Sequence, residues 1–434
     1  MPDMSTTLFN RSFVVWLLGS AQSQLGSALG SIALSFLVLH QTGQAGQMAL
    51  TLAFALGPNL LMPFAGALVD RLPLKVPLIA ADLLRGGLQL TVAGLALHLG
   101  EVPLWVVNGA ALLGGFAGIF ANPASSAAFP RLVPESQLAR ANALSGSVSQ
   151  GAWLLGTLAG GALVARVGPP TALLLDGLSF LSMAGLLTLV RLPHLPAGKP
   201  GSDVLEDVRA GLRLMRRSKV LSLVPLIGLA INAATAPVLV VTPKLMERLG
   251  EGAGGYGVFL AFEGTGAVLG GLLLTVLGER LPRKGTSGAG LLLMGLGFLL
   301  MGHWPLSSGL LYPALLAGSL LVGLSISLVN TPLNTLMQQM TPAAYLGRVF
   351  SVLGTVSSLG MPAALLLTSP LVDRYPASTF YGVAGGLLLL GAVAWLLVAA
   401  SERTPPDLHA WAAAQTTGQA VGRTGTSGLP RQPS

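Results

Sequence analysis

Two acidic side chains of this sequence stand inside long apolar runs, where an ionisable group is costly and marks a candidate functional site. Glu263 lies within YGVFLAFEGTGAVLGG, far from any charged loop, and Asp176 lies within TALLLDGLSF. A carboxyl group held away from water favours its neutral form, so it can bind and release a proton as water access changes. We therefore predict that both groups couple a conformational process to proton movement, with Glu263 the more deeply placed.

Each carboxyl group also has a structural interpretation. Glu263 could accept a hydrogen bond from a neighbouring helix. Asp176 stands nearer the predicted outer end of its run, where it could reach water or pair with Arg166. Both alternatives stay open at the level of the sequence.

Amide side chains provide candidate contacts for a substrate. Gln24 and Asn232 stand near the middle of the first and seventh apolar runs, and Gln22, Asn59 and Asn330 lie elsewhere in such runs or at their ends. Amides among aliphatic side chains suit a bulky, amphiphilic molecule that is uncharged or cationic. Hydrogen bonding between helices is the alternative role. We predict that these five residues line a substrate cavity.

A charged turn occurs twice in the chain. DRLPLK covers Asp70–Lys75, and ERLPRK covers Glu279–Lys284, 209 positions later. Pro342 is well placed to open an apolar run as a helix, and the first turn of a helix carries partial positive charge. Asp70 could bind that helix end reversibly, so the turn is predicted to act as a gate. Ordinary surface charge is the alternative.

Several classes of protein are excluded. The chain has no cysteine, so it holds no disulfide, thiolate metal site or cysteine nucleophile. Its five histidines all fall at the ends of apolar runs, in loops or in the C-terminal tail. The sequence contains no phosphate-binding glycine loop, no metal-hydrolase motif and no acyl-transfer constellation. We predict no enzymatic activity, no cofactor and no bound metal.

The elements that must position these groups are membrane helices. Only 9% of the residues are charged, whereas soluble proteins have about a quarter. Twelve apolar segments follow one another between Arg11 and Ser401, each long enough to span a bilayer. The short alternating segments of an outer-membrane barrel are missing. The first segment is too long for a signal peptide and leads directly into the next, so we interpret it as a retained helix.

The basic residues indicate an orientation. With twelve spans and an inner N-terminus, only Arg166, Lys244, Arg248 and Arg374 of the 24 basic residues fall on the outer side. This distribution is the positive-inside pattern, and it explains the basic composition without a nucleic-acid partner. We expect a multi-pass protein of a bacterial-type cytoplasmic (inner) membrane, with both termini in the cytoplasm.

The chain matches itself when it is shifted by 208 or 209 positions. Besides the charged turns, Pro134 and Arg140 correspond to Pro342 and Arg348. A parallel repeat of this kind is typical of secondary transporters. The predicted organisation is all-α, with six-helix bundles over 1–191 and 219–400, a cytoplasmic linker over 192–218 and a disordered cytoplasmic tail over 401–434.

The linker is predicted to contain an amphipathic helix. Ser202 is a plausible N-cap, and an apolar stripe runs from Val204 to Met215. Acidic residues come early and basic residues late, which suits the helix dipole. We expect this helix to lie along the inner membrane surface with its basic end near anionic lipid. A plain tether is the alternative.

The first charged turn also resembles a known signature. GALVDRLPLK, over 66–75, is similar to the G-x-L-x-D-R-x-G-R-K motif of the major facilitator superfamily, with Pro73 in place of the second glycine and Leu74 in place of a basic residue. AADLLRG, PRLVPESQLARANAL and LGRVFSVL resemble its macrolide-efflux and enterobactin-exporter branch. The resemblance covers all twelve spans. It implies the major facilitator fold of two pseudo-symmetric six-helix bundles that work by alternating access.

The resemblance implies a gate at the inner side. The residues assigned to it belong to the charged turns and to the similar segments nearby: Asp70, Arg71, Lys75, Asp82, Arg85, Glu279, Arg280, Lys284, Arg140 and Arg348. The fifth span carries GTLAGG over 156–161, which resembles the antiporter motif G-P-x-x-G-G with Thr157 in place of the proline. Close helix packing is the alternative role of these glycines.

Together these observations favour a monomeric secondary transporter. We expect it to export a lipophilic or amphiphilic small molecule, such as a drug-like compound or a siderophore, in exchange for protons. Its expected partners are that substrate, protons and membrane lipids. Uptake or facilitated diffusion is the alternative among transporters, and a non-transporting receptor or scaffold on the same fold is the alternative outside them.

Overall fold

The computed structural model describes residues 8–69, 72–192, 204–303, 305, 309–342 and 345–402. Two predicted gating residues, Asp70 and Arg71, lie outside the described residues, as does the tail beyond residue 402. Among the described residues the chain forms α-helices, short 3-10 segments and turns, with no strand. The predicted all-α fold is confirmed.

The first half contains α1 (Arg11–Thr42), α2 (Ala45–Leu56), α3 (Met62–Val69), α4 (Lys75–Leu99), α5 (Leu104–Ala128), α6 (Leu138–Val167) and α7 (Pro169–Leu189). The linker contributes α8 (Val204–Met215). The second half contains α9 (Lys219–Arg248), α10 (Gly252–Leu277), α11 (Arg283–Gly302), α12 (Leu311–Met340), α13 (Leu346–Thr368) and α14 (Ala377–Ser401). Within the described ranges, eleven helices are long and apolar enough to cross a membrane.

The second span is broken where the sequence predicts one continuous helix. α2 and α3 are separated by a 3-10 segment, Gly57–Leu61, with Pro58 in its first turn. Proline has no backbone N–H to donate and its ring clashes with the preceding turn, which favours a break at this point, although α9 continues through Pro225, Pro237 and Pro243. The two short helices and the segment between them together supply the twelfth span.

The start of the eleventh span is described in part. Thr341 is the C-terminal cap residue of α12, and the α-helical part of α13 begins at Leu346. The Tyr345 N–H donates to the Pro342 carbonyl oxygen at 2.8 Å, as in a helical turn. Residues 343 and 344 lie outside the described part of the chain, so the role of Pro342 as the opening residue of this helix stays a prediction.

The two halves are built in the same way. α1 packs against α6 and α7, and α4 packs against α5 and α7; correspondingly, α9 packs against α13 and α14, and α11 packs against α12 and α14. The first helix of each half is capped at an equivalent position, 208 residues apart. The Asn10 side chain accepts from the Phe13 N–H, and Ser218 accepts from the Leu221 N–H. The sequence repeat is thus also a structural repeat, while the boundaries of the four predicted domains stay predictions.

The apolar core shows where the two halves are joined. We name the side on which α1 begins the inner side, following the predicted orientation. One buried cluster, shared by both halves, lies toward the outer side and includes Phe36, Met246 and Tyr381. Toward the inner side each half has its own cluster, around Trp16 in the first and Trp395 in the second. The halves are therefore packed together outside and have separate cores inside.

The linker helix α8 packs on the second half. Leu214 is buried in the inner cluster of that half, and Gly211 packs on the carbonyl oxygen of Arg348 in α13. Arg209 is exposed. Of the predicted apolar stripe, Met215 is buried against the second half and Leu212 is exposed, so contact of this helix with the membrane surface stays a prediction. The side chains of 204–208 and the predicted cap Ser202 lie outside the described part of the chain.

Candidate functional site

A cavity of about 500 Å³ lies in the second half, among α9, α10, α11, α12 and α13. Its wall consists mainly of aliphatic, aromatic and methionine side chains, Phe259, Phe298 and Met294 among them. Polar groups are few, and Glu263 is the acidic one among the lining residues. A largely apolar pocket of this size with a few polar groups suits a small organic ligand.

Glu263 stands near the middle of α10, about 17 Å along the helix from its outer end. Its side chain is half-buried and faces the cavity. Among the described residues the carboxylate has no hydrogen-bond or ion-pair partner. The helix is held tightly at this level, because a Cβ on Gly323 of α12 would stand 1.8 Å from the Glu263 carbonyl oxygen. The alternative role, a structural hydrogen bond to a neighbouring helix, is not seen within the described ranges.

The predicted cavity amides divide between the halves. Asn232 and Asn330 belong to the cavity wall, and the Asn232 side chain donates to the Gly228 carbonyl of its own helix at 2.9 Å. Gln22, Gln24 and Asn59 lie in the first half and are not part of this wall. Their predicted contact with substrate stays a prediction. Sequence reasoning did not assign Asn334 and Ser357 to the cavity, which they also line.

Asp176 is almost fully buried, at 2% exposure, between α1, α4 and α7. Its Oδ2 accepts a hydrogen bond of 2.7 Å from Gln89 Nε2. The carboxylate fits against α1 because residue 30 is glycine, where a Cβ would stand 2.1 Å from Oδ2. The alternative that Asp176 reaches outer water or Arg166 is wrong. Asp176 is less exposed than Glu263, which faces a cavity, although Asp176 stands nearer the outer end of its helix.

Asp82 and Arg85 lie within the first half, on α4. Arg85 Nε donates to the Gly114 carbonyl of α5 at 3.3 Å, and its guanidinium lies over the Phe180 ring of α7 at 5.6 Å. Asp82 is buried at 9% exposure. In this state Asp82 is buried and Arg85 contacts helices of its own half, and the assignment of both to a gate stays a prediction.

The lysines of the two charged turns also bond within their own halves. Lys75 Nζ donates to the Thr188 carbonyl near the end of α7 at 3.2 Å. Lys284 Nζ donates to the Glu402 carbonyl just after α14 at 2.7 Å. In each half, therefore, the lysine caps the C-terminal end of the last helix, where a cation is favourable. This shared contact gives a structural reason for the repetition of the turn.

The remaining residues of the predicted gate are described in part. Arg140 and Arg280 are exposed, and the Arg348 guanidinium lies over the Tyr345 ring at 5.3 Å. The Glu279 side chain lies outside the described part of the chain. Because the two halves have separate cores at the inner side, the structure is not closed there. The gating role of these residues therefore stays a prediction.

At the outer side the halves are joined by polar contacts that the sequence analysis missed. Asp373, in the turn between α13 and α14, accepts hydrogen bonds from the backbone N–H groups of Ala45 at 2.9 Å and Gly46 at 2.8 Å. These are the first residues of α2, in the opposite half. Lys244 of α9 forms an ion pair with the same carboxylate. We name Asp373, Lys244 and the first turn of α2 the outer lock.

The electrostatics of the outer lock favour the ionised carboxylate. Burial acts to raise the pKa of Asp373, but Lys244 and the two backbone N–H groups outweigh it and hold that pKa below its ordinary value. The positive end of the α2 dipole acts in the same sense. A second pair links the halves nearby, with 2.9 Å between His40 Nε2 and Glu247 Oε1.

The GTLAGG glycines pack helices closely. A Cβ on Gly161 would stand 2.6 Å from the Ala253 carbonyl oxygen of α10, in the opposite half. A Cβ on Gly156 would stand 2.9 Å from the Leu25 carbonyl oxygen of α1. α6 is thus wedged between α1 and α10, and its glycines have the packing role that was the alternative to an antiporter signature.

Proteins of similar sequence are named as efflux proteins. Macrolide efflux protein A of Streptococcus pyogenes is 27% identical over 391 residues, which cover 88% of this chain and 94% of that protein. Multidrug efflux pump Tap of Mycobacterium tuberculosis (strain ATCC 25618 / H37Rv) is 27% identical over 409 residues, which cover 89% of this chain and 93% of that protein.

Solved structures share the fold at low sequence identity. The nucleoside transporter NupG matches with a TM-score of 0.73 and 10% identity, over 90% of this chain and 99% of that one. A bacterial homologue of the iron transporter ferroportin, in an inward-facing state, matches with a TM-score of 0.69 and 18% identity, over 90% and 99%. The family model of the Major Facilitator Superfamily matches residues 8–365 and, in an overlapping match, residues 229–420. The chain belongs to the Major Facilitator Superfamily and is a membrane transporter, not an enzyme.

Proposed function

We propose that this transporter exports lipophilic or amphiphilic small molecules, including drug-like compounds, across a bacterial cytoplasmic membrane in exchange for protons. Two relatives that align with 88% and 89% of the chain are named as efflux proteins, one for macrolides and one for multiple drugs. The mostly apolar wall of the 500 Å³ cavity supports a lipophilic substrate. The observation that carries the proposal is the Glu263 carboxylate, which faces this cavity and has no hydrogen-bond or ion-pair partner in the described part of the chain.

Glu263 couples the two movements by binding either a proton or the substrate. An ionised carboxylate surrounded by apolar side chains is unfavourable unless a counter-charge or a proton neutralises it. A cationic group on a substrate supplies that charge and displaces the proton. When a proton returns, the substrate loses its counter-charge and leaves. Exchange follows because the two ligands occupy the same carboxylate in turn.

Alternating access exposes this carboxylate to each side of the membrane. The shared outer core and the outer lock support an inward-facing state here, in which substrate enters from the inner side. Separation of the outer contacts and approach of the inner ends would turn the cavity outward. A two-state equilibrium of this kind shifts when a ligand binds one state more tightly. We assign inner closure to the charged turns, including Asp70 and Arg71.

The remaining features of the proposal concern topology and assembly. The distribution of basic residues supports cytoplasmic placement of both termini in an inner membrane. The cavity is enclosed by helices of a single chain, which supports a monomer as the working unit. Membrane lipids contact the apolar outer surface of the bundle.

Transport by purified protein in vesicles tests the proposal. With a macrolide antibiotic and the fluorescent cation ethidium as probes, wild-type protein should accumulate each probe when a pH gradient is imposed. Glu263→Gln keeps the size of the side chain but cannot ionise, so downhill flux should persist while gradient-driven accumulation is lost. Glu101→Gln, which changes an exposed carboxyl group outside the cavity, is the matched control.

The alternatives predict different results in the same assay. Full gradient-driven accumulation by Glu263→Gln would contradict a coupling role for this residue. Flux that ignores the pH gradient in wild-type protein would indicate a facilitator, and accumulation in the opposite direction would indicate uptake. Tight probe binding without flux would indicate a receptor on the same fold.

A further inference from the structure

A second group of buried polar side chains lies apart from the cavity. Asp82, Arg85 and Gln89 follow one another on α4 at intervals of three and four residues, so they lie along one face of the helix. α4 packs on α7, where Asp176 accepts the hydrogen bond from Gln89. Measured along α4 from its inner end at Lys75, Asp82 stands at about 10 Å and Gln89 at about 21 Å. The group thus extends from the inner part of the first half to its middle.

The charges in this group do not balance. Asp82 and Asp176 both lie within electrostatic reach of Arg85, and a guanidinium does not give up its proton in proteins. The helices around them add no further charge at this level, because α5 has no charged residue and those of α1 and α6 stand at the helix ends. Two carboxyl groups therefore share one cation. An excess negative charge at a buried site is unfavourable, and one proton removes it.

Two unpaired oxygen atoms lie together where α7 packs on α1. Asp176 Oδ1 and the nearby Ser179 hydroxyl make no well-formed hydrogen bond among the described residues. Both lie against Gly26 of α1, where a Cβ would stand 3.2 Å from Oδ1 and 2.1 Å from the hydroxyl oxygen. Gln22 Oε1, one helical turn earlier on α1, is also buried without a partner.

The Asp176 carboxyl group can be accommodated in either protonation state. The nearby Ser179 hydroxyl can donate to Oδ1 when Asp176 is ionised and can accept a hydrogen bond when Asp176 is protonated. The hydrogen bond from Gln89 to Oδ2 is compatible with either form. The site can therefore bind and release a proton without losing its hydrogen bonds.

We propose that Asp82, Arg85, Gln89 and Asp176 form a proton path within the first half, with Asp176 as its proton-binding group. A proton from inner water passes to Asp82 and then, through water that bridges the roughly 10 Å between Asp82 and Gln89 along α4, to Asp176, which becomes a neutral acid. Arg85 holds the two carboxyl groups by its charge and keeps its own protons. This inference rests on the proposed proton antiport. It adds a proton site in the first half that is separate from the site shared with substrate at Glu263.

Infrared difference spectroscopy of the purified full-length protein during a pH change tests the site. A buried carboxyl group gives a C=O band only when it is protonated. In a Glu263→Gln background, which removes the cavity carboxyl group, a titrating band should remain. Addition of Asp176→Asn should abolish that band, while addition of Glu101→Gln should leave it unchanged. A band of full size in the Asp176→Asn protein would overturn the assignment.

Two further variants test the path and guard against a folding defect. Asp82→Asn should keep the band but slow proton uptake after a pH jump by about tenfold or more; uptake at the wild-type rate would overturn the role of Asp82. Gln89→Leu keeps the Asp176 carboxyl group and removes its hydrogen bond, so the titration midpoint of the band should move. A midpoint identical to wild type would contradict the site even if Asp176→Asn failed to fold.

These measurements use neither substrate nor a membrane gradient. A failure of gradient-driven transport in vesicles would therefore overturn the proposed antiport and leave the spectroscopic result to be judged separately. Conversely, intact transport with no titrating band at Asp176 would support the antiport at Glu263 and overturn the proton path.

Discussion

Replacement of Asp373 with asparagine should open the outer side of the transporter. The amide has nearly the same shape and can still accept a hydrogen bond, but it lacks the charge that faces the first turn of α2. Lys244 belongs to the same half as Asp373 and can hold the carboxylate in either state. The contacts with Ala45 and Gly46 cross between the halves, so their loss weakens the outer-closed state alone.

The size of the effect follows from these contacts. A hydrogen bond to a charged group contributes about 1.5–3 kcal/mol when well shielded, and a charge at a helix N-terminus contributes about 0.3–2 kcal/mol. With 27% of the Asp373 side chain exposed, the lower part of these ranges applies. We expect Asp373→Asn to cost the closed state about 1–2 kcal/mol in total, which changes the ratio of closed to open protein by about 5- to 30-fold.

Spin-label distances can measure this shift. The chain has no cysteine, so Glu101→Cys and Tyr375→Cys, at exposed outer positions of the two halves, can be labelled without other changes. The longer of two distance populations should grow in Asp373→Asn. Glu251→Gln, an exposed outer carboxyl group within one half, should leave the distribution unchanged. A wild-type distribution in Asp373→Asn would refute the reasoning.

The same pair of spin labels can measure how the closure of the outer side depends on pH. The closed state holds the pKa of Asp373 below its ordinary value. The outer lock therefore stabilises the closed state in full at pH values above that ordinary pKa. It is lost as the pH falls through the lowered pKa, so outer opening should begin only below about pH 4. Asp373→Asn should lack this transition, and an equal transition in that variant would assign it to another group.

Three further predictions concern packing and helix caps. Gly161→Leu should force the outer label pair apart, because even a Cβ at this position would stand 2.6 Å from a carbonyl oxygen of α10. Gly151 has open space around it, so Gly151→Leu should leave the label distance unchanged. Lys75→Met and Lys284→Met should each lower the free energy of unfolding by about 0.5–1.5 kcal/mol, since each removes a hydrogen bond within one half. Glu402→Gln, which weakens the cap of α9, should cost about 1 kcal/mol in thermal or denaturant unfolding and leave transport unchanged.

The fold was predictable because lipid leaves few alternatives to a bundle of apolar helices. The twelve apolar segments and the repeat at 208 or 209 positions predicted the architecture that the structure shows. The break in the second span also had a visible signal in Pro58, but how far a helix is disturbed depends on its neighbours. The predicted opening of the eleventh span at Pro342 stays a prediction, because residues 343 and 344 lie outside the described part of the chain.

The site was predictable only in part. Glu263 drew attention because a charge within an apolar run is unusual, and it faces the cavity. The burial of Asp176 depends on Gln89 and on the glycines of α1. These residues are far apart in the sequence and come together only in the fold. Asp373 gave no signal, because a carboxyl group in a polar turn is ordinary and its partners Ala45 and Gly46 lie more than 300 residues away.

The charged turns show a limit of inference by resemblance. The similarity to a family signature implied a gate for both turns, whereas Lys75 and Lys284 cap the last helix of their own halves in this state. The end of a helix offers several unpaired carbonyl oxygens, and a nearby lysine can bind them whatever else its turn does. The partner of a loop lysine depends on distances in the folded structure. The spacing of residues along the sequence does not give these distances.

Exchange of a proton for substrate at Glu263 is tested most directly by counting the protons released when substrate binds. Purified protein in a weakly buffered solution is titrated with a macrolide antibiotic or with ethidium, and a pH indicator reports proton release at a series of pH values. We predict the release of about one proton per bound molecule from wild-type protein at pH values where Glu263 is protonated, and none from Glu263→Gln. Wild-type binding without proton release, or equal release from Glu263→Gln, would contradict competition at this carboxylate.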